Sequence, residues 1–180
     1  MAPLKLPPGY QIRALRLSDL AAVMAIEKAT YTLPWSESSF RYEINQNRLA
    51  HYWALTVLAG DQPRQLVGYS GYWLIADEFT VSTIVVLPAW RGRSLGELLF
   101  LDLMRRACQA KAILATLEVR RSNTAAQALY AKYGFVIVGE RPRYYQDNRE
   151  DAILMTAEPL DAAYRQKLRQ LEAELLARLA

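Results

Sequence analysis

The stretch LPAWRGRSLGELLF, residues 87–100, sets Arg91 and Arg93 among Gly92 and Gly96 just before a run with helical patterning. A helix N-terminus carries backbone N–H groups without intrahelical partners and the positive end of the macrodipole, so it attracts anions. Glycines ahead of it let a phosphate approach the backbone, and the two arginines add charge where a pyrophosphate would lie. Taken alone, the loop has two readings. It is an anion cradle made of Arg91, Gly92, Arg93, Ser94, Leu95, Gly96 and Glu97, or it is a plain glycine turn, and for isolated glycine-rich loops the turn is commoner. Other chemistry is sparse. Cys108 is the single cysteine and His51 the single histidine, so there is no disulfide framework and no cluster with metal-ligand spacing, and a reducing compartment fits. Cys108 shares a helix face with Met104 and has no histidine at a recognisable spacing, so it reads as packing rather than as a nucleophile. His51 opens a strand and reads as structural.

These residues need a scaffold. With 180 residues, 52% hydrophobic and 22% charged, the chain suffices for one domain with a sizeable core. A formal charge of +4 favours an anionic ligand and is too small to imply nucleic-acid binding. No run of about 18 apolar residues occurs, which argues against a membrane span. The proline-rich opening MAPLKLPPGYQIR has no apolar targeting core, and the expected location is cytoplasmic.

Residues 11–17 alternate as a strand does. Ser18 and Asp19 then offer N-caps to LAAVMAIEKAT, in which Ala22, Ala25, Ile26 and Ala29 recur at helical spacing. A second helix is expected near Ser36, behind Pro34. HYWALTVLA, QLVGYSGYWLI and EFTVSTIVVL read as three antiparallel strands, turned at Gly60, Asp61 and Pro63 and again at Ala76 and Asp77. After Gly96, the residues Leu99, Phe100, Leu103, Met104 and Ala107 make an apolar helix face, with Asp102, Arg105, Arg106 and Gln109 polar. ILATLEV is a strand, NTAAQALYAKY a helix ended by Gly134, and FVIVGER and DAILMTAEPL two more strands. The sum is a mixed sheet with helices around it, an α/β or α+β architecture.

The order strand, V-x-P, R-x-x-x-x-G, helix, strand, then N-x-x-A-x-x-L-Y-x-x-x-G-F is carried here by Val86, Pro88, Arg91, Gly96, Asn123, Ala126, Leu129, Tyr130, Gly134 and Phe135. It resembles the GNAT acetyltransferase family, in which this loop holds the pyrophosphate of acetyl-CoA. PWSESSF, LEVRRSNTAAQALY, YGF and RYYQDNREDAILM narrow the resemblance to the RimI group, which acetylates the N-terminal alanine of small-subunit ribosomal protein eighteen. Together the four blocks are a specific signal. The match spans about residues 10–160 and implies an acetyltransferase domain over 1–160, with a mostly antiparallel sheet of about seven strands, and an extension over 161–180. Ser94 stands where the family has a glycine. Serine supplies the same N–H and a hydroxyl that could reach a phosphate, but it resists positive φ.

What the resemblance implies can be set beside each residue's plainer reading. Glu118 would be the general base, acting through water on the incoming ammonium; otherwise it is an exposed or arginine-paired carboxylate beside Arg120 and Arg121. Tyr130 would protonate the departing CoA thiolate; otherwise it is a core aromatic at helical spacing from Ala126. Asn123 would touch the pantetheine arm, and by position it is also an N-cap worth about 1 kcal/mol. Ile84, Val85 and Val86 would present backbone groups to the pantetheine amides and the thioester carbonyl, as an open strand can. Trp35, in the loop that begins at Tyr31, would face Tyr144 and Tyr145 across a peptide entrance.

The implied co-substrate is acetyl-CoA, with no metal. The implied acceptor is a protein or peptide with a free N-terminus, a ribosomal protein foremost, and there is no direct nucleic-acid or membrane partner. A different amine acceptor (a broader range of N-termini, a small-molecule amine or a lysine side chain) and a non-catalytic acetyl-CoA sensor are the alternatives. PWSE and RYYQDNRED weigh against the first, and Glu118 with Tyr130 against the second. The tail carries Tyr164, Leu168, Leu171, Leu175 and Leu179 in one stripe, as for a helix that packs back on its domain or joins another chain, so monomer and homodimer both fit.

Overall fold

The computed structural model describes residues 4–58 and 63–179; Gly60 and Asp61 of the expected turn lie outside them. The strands are β1 (Tyr10–Ala14), β2 (Ala50–Val57), β3 (Gln65–Ile75), β4 (Glu78–Val86), β5 (Leu114–Arg120), β6 (Val136–Arg141) and β7 (Ala152–Ala157). The helices are α1 (Leu20–Thr30), α2 (Glu37–Asn45), α3 (Leu95–Gln109), α4 (Thr124–Lys132) and α5 (Ala162–Leu179). The seven strands form one sheet in the order β1-β2-β3-β4-β5-β7-β6, with β4–β5 its parallel pair and the others antiparallel. Among the described residues no helix is long and apolar enough to cross a membrane.

The sheet opens in its middle. β4 and β5 pair from Glu78 with Leu114 as far as Val81 with Leu117, yet β4 runs on to Val86 and β5 to Arg120. At the same level the β3–β4 register slips, with Gly71 opposite Thr83 and Tyr72 opposite Val81, so Ser82 is an extra residue. Such a bulge bends its strand and sharpens the twist. Past it, the β4 edge turned toward β5 has no ladder partner there. The helices that follow these two strands, α3 and α4, both begin at this end, as the crevice rule for parallel strands requires.

Three expectations change. In α1 the buried stripe is Leu20, Val23, Ile26 and Glu27, whereas Ala25 and Ala29 are exposed. Alanine is indifferent to burial, and the larger side chains set the phase of the helix. Asp19 does not cap α1; its carboxylate binds the Arg13 guanidinium at 2.7 and 2.8 Å. On α3, Asp102 and Arg105 are buried rather than solvated. Arg106 pairs with Asp102 at 2.7 Å and lies over the Trp53 ring, while Arg105 meets Glu172 of α5. Leu168, Leu171 and Leu175 bury α5 in the same core as α3, so the tail packs back on the domain.

Candidate active site

A cleft of about 880 Å³ fills the split between β4 and β5. Ile84, Val85 and Val86 form one wall, and Asn123, Ala126, Leu129 and Tyr130 the other. Arg91, Gly92, Ser94, Leu95, Gly96 and Glu97 close one end. Gly92 has φ +75°, and Ser94 takes φ +57°, the conformation serine resists. That turn starts α3 at Leu95 and leaves the N–H groups of its first turn at the cleft. A Cβ on Gly96 would meet nothing within 4 Å, so its flank is open to a ligand.

The two arginines of the loop part company. Arg91 lines the cleft, its Nε donating to the Val86 carbonyl at 3.1 Å. Arg93 does not line it and lies over the Trp90 ring, 4.6 Å from the centroid. Glu97 would seem to oppose an anion, but its carboxylate is held by Lys132 at 2.6 Å and Arg178 at 2.7 Å. Its charge is thereby met, and its backbone N–H is what it offers at the loop.

Tyr130 lies against Phe100, ring centroids 4.8 Å apart, and reaches the cleft from α4. Burial pushes its hydroxyl above the ordinary phenol range, with smaller contributions from Tyr31 and Tyr145. Asn123 does cap α4: its Oδ1 accepts from the Ala126 N–H at 3.1 Å. The cap uses the oxygen, and the amide nitrogen is a separate donor. Both roles expected of it are therefore compatible.

Glu118 is not in the cleft wall. It shares a face of β5 with Arg120, which is, because Ala115, Leu117 and Val119 take the buried face. Arg141 binds its carboxylate at 2.9 Å, and the Glu118 carboxylate pushes the Tyr144 hydroxyl above its ordinary pKa. Neither Arg120 nor Arg121 is its partner; Arg120 binds Asp147 at 2.8 Å and Glu150 at 3.2 Å and lies over the Tyr145 ring at 3.8 Å. Burial raises the Tyr145 hydroxyl to about 12, and Tyr144, Glu118 and Tyr31 add to the shift.

Residues 20–135 match the acetyltransferase (GNAT) family. A Bacillus subtilis (strain 168) protein provisionally named a ribosomal protein bS18-alanine N-acetyltransferase is 40% identical over 144 residues, 80% of this chain and 92% of that one. The chain belongs to the acetyltransferase (GNAT) family. The crystal structure of the ribosomal-protein-S18-alanine N-acetyltransferase from Escherichia coli is similar at TM-score 0.73 and 31% identity, covering 83% of this chain and 94% of that one. Arabidopsis thaliana NAA60 in complex with acetyl-CoA, at 17% identity and TM-score 0.71 over 83% of this chain and 98% of its own, shares the fold.

In this GNAT protein the aromatic residues of the expected entrance are separated. Tyr31 faces the cleft with Thr30 and Thr32, whereas Trp35 is 44% exposed, packs on Phe40 at 5.5 Å and lines a hollow of about 430 Å³ beside α2. Tyr144 and Tyr145 meet edge to face at 5.3 Å. Sequence reasoning placed Tyr31 in the entrance loop without making it a site residue. It missed Arg120, Asp147, Asn148 and Glu150 in the wall, though the charge density of RYYQDNRED was the available signal.

Proposed function

We propose that this GNAT protein is an acetyl-CoA-dependent Nα-acetyltransferase whose acceptor is the N-terminal alanine of ribosomal protein bS18, working by direct transfer in a ternary complex in the cytoplasm. The observation that carries the reading is the meeting, in one cleft, of the first turn of α3 with Tyr130, while Glu118 shares its face of β5 with Arg120 of the cleft wall. Similarity to the Bacillus subtilis and Escherichia coli proteins supports the choice of acceptor.

The N–H groups of Leu95, Gly96 and Glu97, with Arg91, hold the pyrophosphate of acetyl-CoA. The open edge of β4 at Ile84, Val85 and Val86 receives the amides of its arm and the thioester carbonyl. Glu118, through water, takes a proton from the ammonium, and the freed nitrogen bonds to the thioester carbon. As the carbon–sulfur bond breaks, Tyr130 gives its proton to the thiolate and is restored by the second proton that the acylated nitrogen sheds, so acetylated amine and CoA leave with the first proton passed from Glu118 to solvent. An α-amine suits a single carboxylate base, since its reference pKa lies about 2–3 units below that of lysine.

The test is a panel of peptides with different first residues, and a lysine peptide with a blocked N-terminus, incubated with acetyl-CoA and read by mass spectrometry. Peptides beginning with alanine should be modified first and the blocked peptide scarcely. Preference for the lysine peptide would overturn the acceptor. Gly96→Val should stay folded and lose acetyl-CoA binding by calorimetry, because its side chain enters the open flank; undiminished binding would overturn the loop assignment.

A further inference from the structure

We infer that Glu27, a carboxylate buried in α1, is the positioning residue that fixes the 31–35 loop over the acceptor entrance. The inference rests on the acceptor reading above. Glu27 is 2% exposed and lies in a stripe whose other members are Leu20, Val23 and Ile26. Its backbone carbonyl accepts the Tyr31 N–H at 2.8 Å, and its Oε2 accepts the Trp35 N–H at 2.7 Å. One residue thus holds both ends of the loop. Its Oε1 accepts the hydroxyl of Tyr69 on β3. Tyr69 in turn stands opposite Val85 in the β3–β4 ladder, and Val85 lines the cleft beyond the Ser82 bulge. The loop is therefore tied through Glu27 and Tyr69 to the place where the sheet opens.

No ion pair to Glu27 is found among the described residues; two hydrogen bonds meet its carboxylate. Helix packing does not call for such a group, since buried charges can commonly be replaced by apolar residues of similar volume without loss of stability. What an apolar residue could not do is hold the Trp35 N–H. A carboxylate does so strongly and with a fixed direction. Tyr31 and Thr32, the loop residues in the cleft wall, then have one position relative to Tyr130.

The test compares Glu27→Gln, Glu27→Ala and Tyr69→Phe with the parent, using a synthetic peptide with a free N-terminal alanine. Glu27→Gln keeps the shape and an acceptor oxygen, and should raise the peptide KM about threefold to tenfold. Glu27→Ala should raise it further, while acetyl-CoA affinity by calorimetry stays within about twofold for all three variants. Hydrogen exchange should quicken at the Trp35 amide in Glu27→Ala and less in Glu27→Gln. An unchanged peptide KM in Glu27→Ala overturns the inference, and so does a parallel loss of acetyl-CoA affinity, which marks general loosening. Tyr69→Phe removes one tether and leaves the Trp35 bond, so it serves if Glu27→Ala does not fold. Failure of the acceptor reading shows itself separately, as a parent enzyme that ignores the peptide; the exchange measurement on the loop still decides the tether.

Discussion

The guanidinium of Arg141 on β6 reaches across β7 to the carboxylate of Glu118 on β5, Nε to Oε1 2.9 Å. A group proposed to receive an ammonium is therefore already engaged by a cation. The Arg141 side chain is 57% exposed, and pairs of this kind contribute about 0.2–1 kcal/mol. The exchange of arginine for substrate is cheap. Arg141→Met should lower the peptide KM by up to about fivefold and leave acetyl-CoA affinity unchanged. Glu118→Gln should cut kcat by about tenfold or more, the usual size of a general-base effect, and steady-state kinetics on both variants checks the pair.

Tyr130→Phe keeps the ring against Phe100 and removes the proton donor. It should lower kcat by about tenfold or more with little change in acetyl-CoA affinity. The sign of the pH dependence follows from burial. The phenol is protonated below its pKa, and burial moves that pKa above the ordinary value of about 10, so the donor form persists through the working range. The ratio of parent to variant kcat should therefore be flat between about pH 7 and 10. A ratio that falls toward one within that window would mean that Tyr130 titrates there.

Ser94 holds a left-handed backbone, φ +57°, at the residue before α3. For an L-residue this costs about 1–2 kcal/mol, and glycine avoids that cost while losing about 0.5–1 kcal/mol in chain entropy. Ser94→Gly should raise stability by about 0.5–1 kcal/mol in denaturant unfolding. The exchange leaves every backbone N–H of the proposed phosphate loop in place, so acetyl-CoA binding by calorimetry should hold. Weaker binding would reveal that the Ser94 hydroxyl is itself a ligand.

Leu175 on α5 is fully buried. Leu175→Ala should destabilise the protein by about 2–5 kcal/mol, as cavities in a packed core do, rather than by the few tenths expected of a surface helix. Thermal unfolding followed by circular dichroism would measure it.

The legible parts were those whose chemistry is local. The loop before α3 and the Asn123 cap depend on a few adjacent residues, and their types announce the backbone groups they expose or satisfy. The open edge at Ile84 to Val86 was expected only through the family resemblance; the Ser82 bulge beside it was not legible, because it is set by pairing with a strand about ten residues away. Ala25 and Ala29 misled the phase of α1, since alanine fits either face. Arg105 looked solvated because its cover, α5, arrives some sixty residues later, and Asp102 because its partner Arg106 lies over Trp53 of β2. Glu27 was overlooked for the same reason: a glutamate among alanines reads as solvent-facing until Tyr69 and the Trp35 N–H stand over it.

Beyond Val81, β4 turns toward a gap where a neighbouring strand would lie. What that edge offers belongs to the main chain and is the same for every residue but proline. Exchanges among valine, isoleucine and leucine at positions 84–86 leave it intact, so drift in these side chains should be nearly silent toward an amide-bearing ligand. A proline at a position whose N–H is used would be the exception. The fold thus keeps part of its selectivity where ordinary substitution cannot reach it.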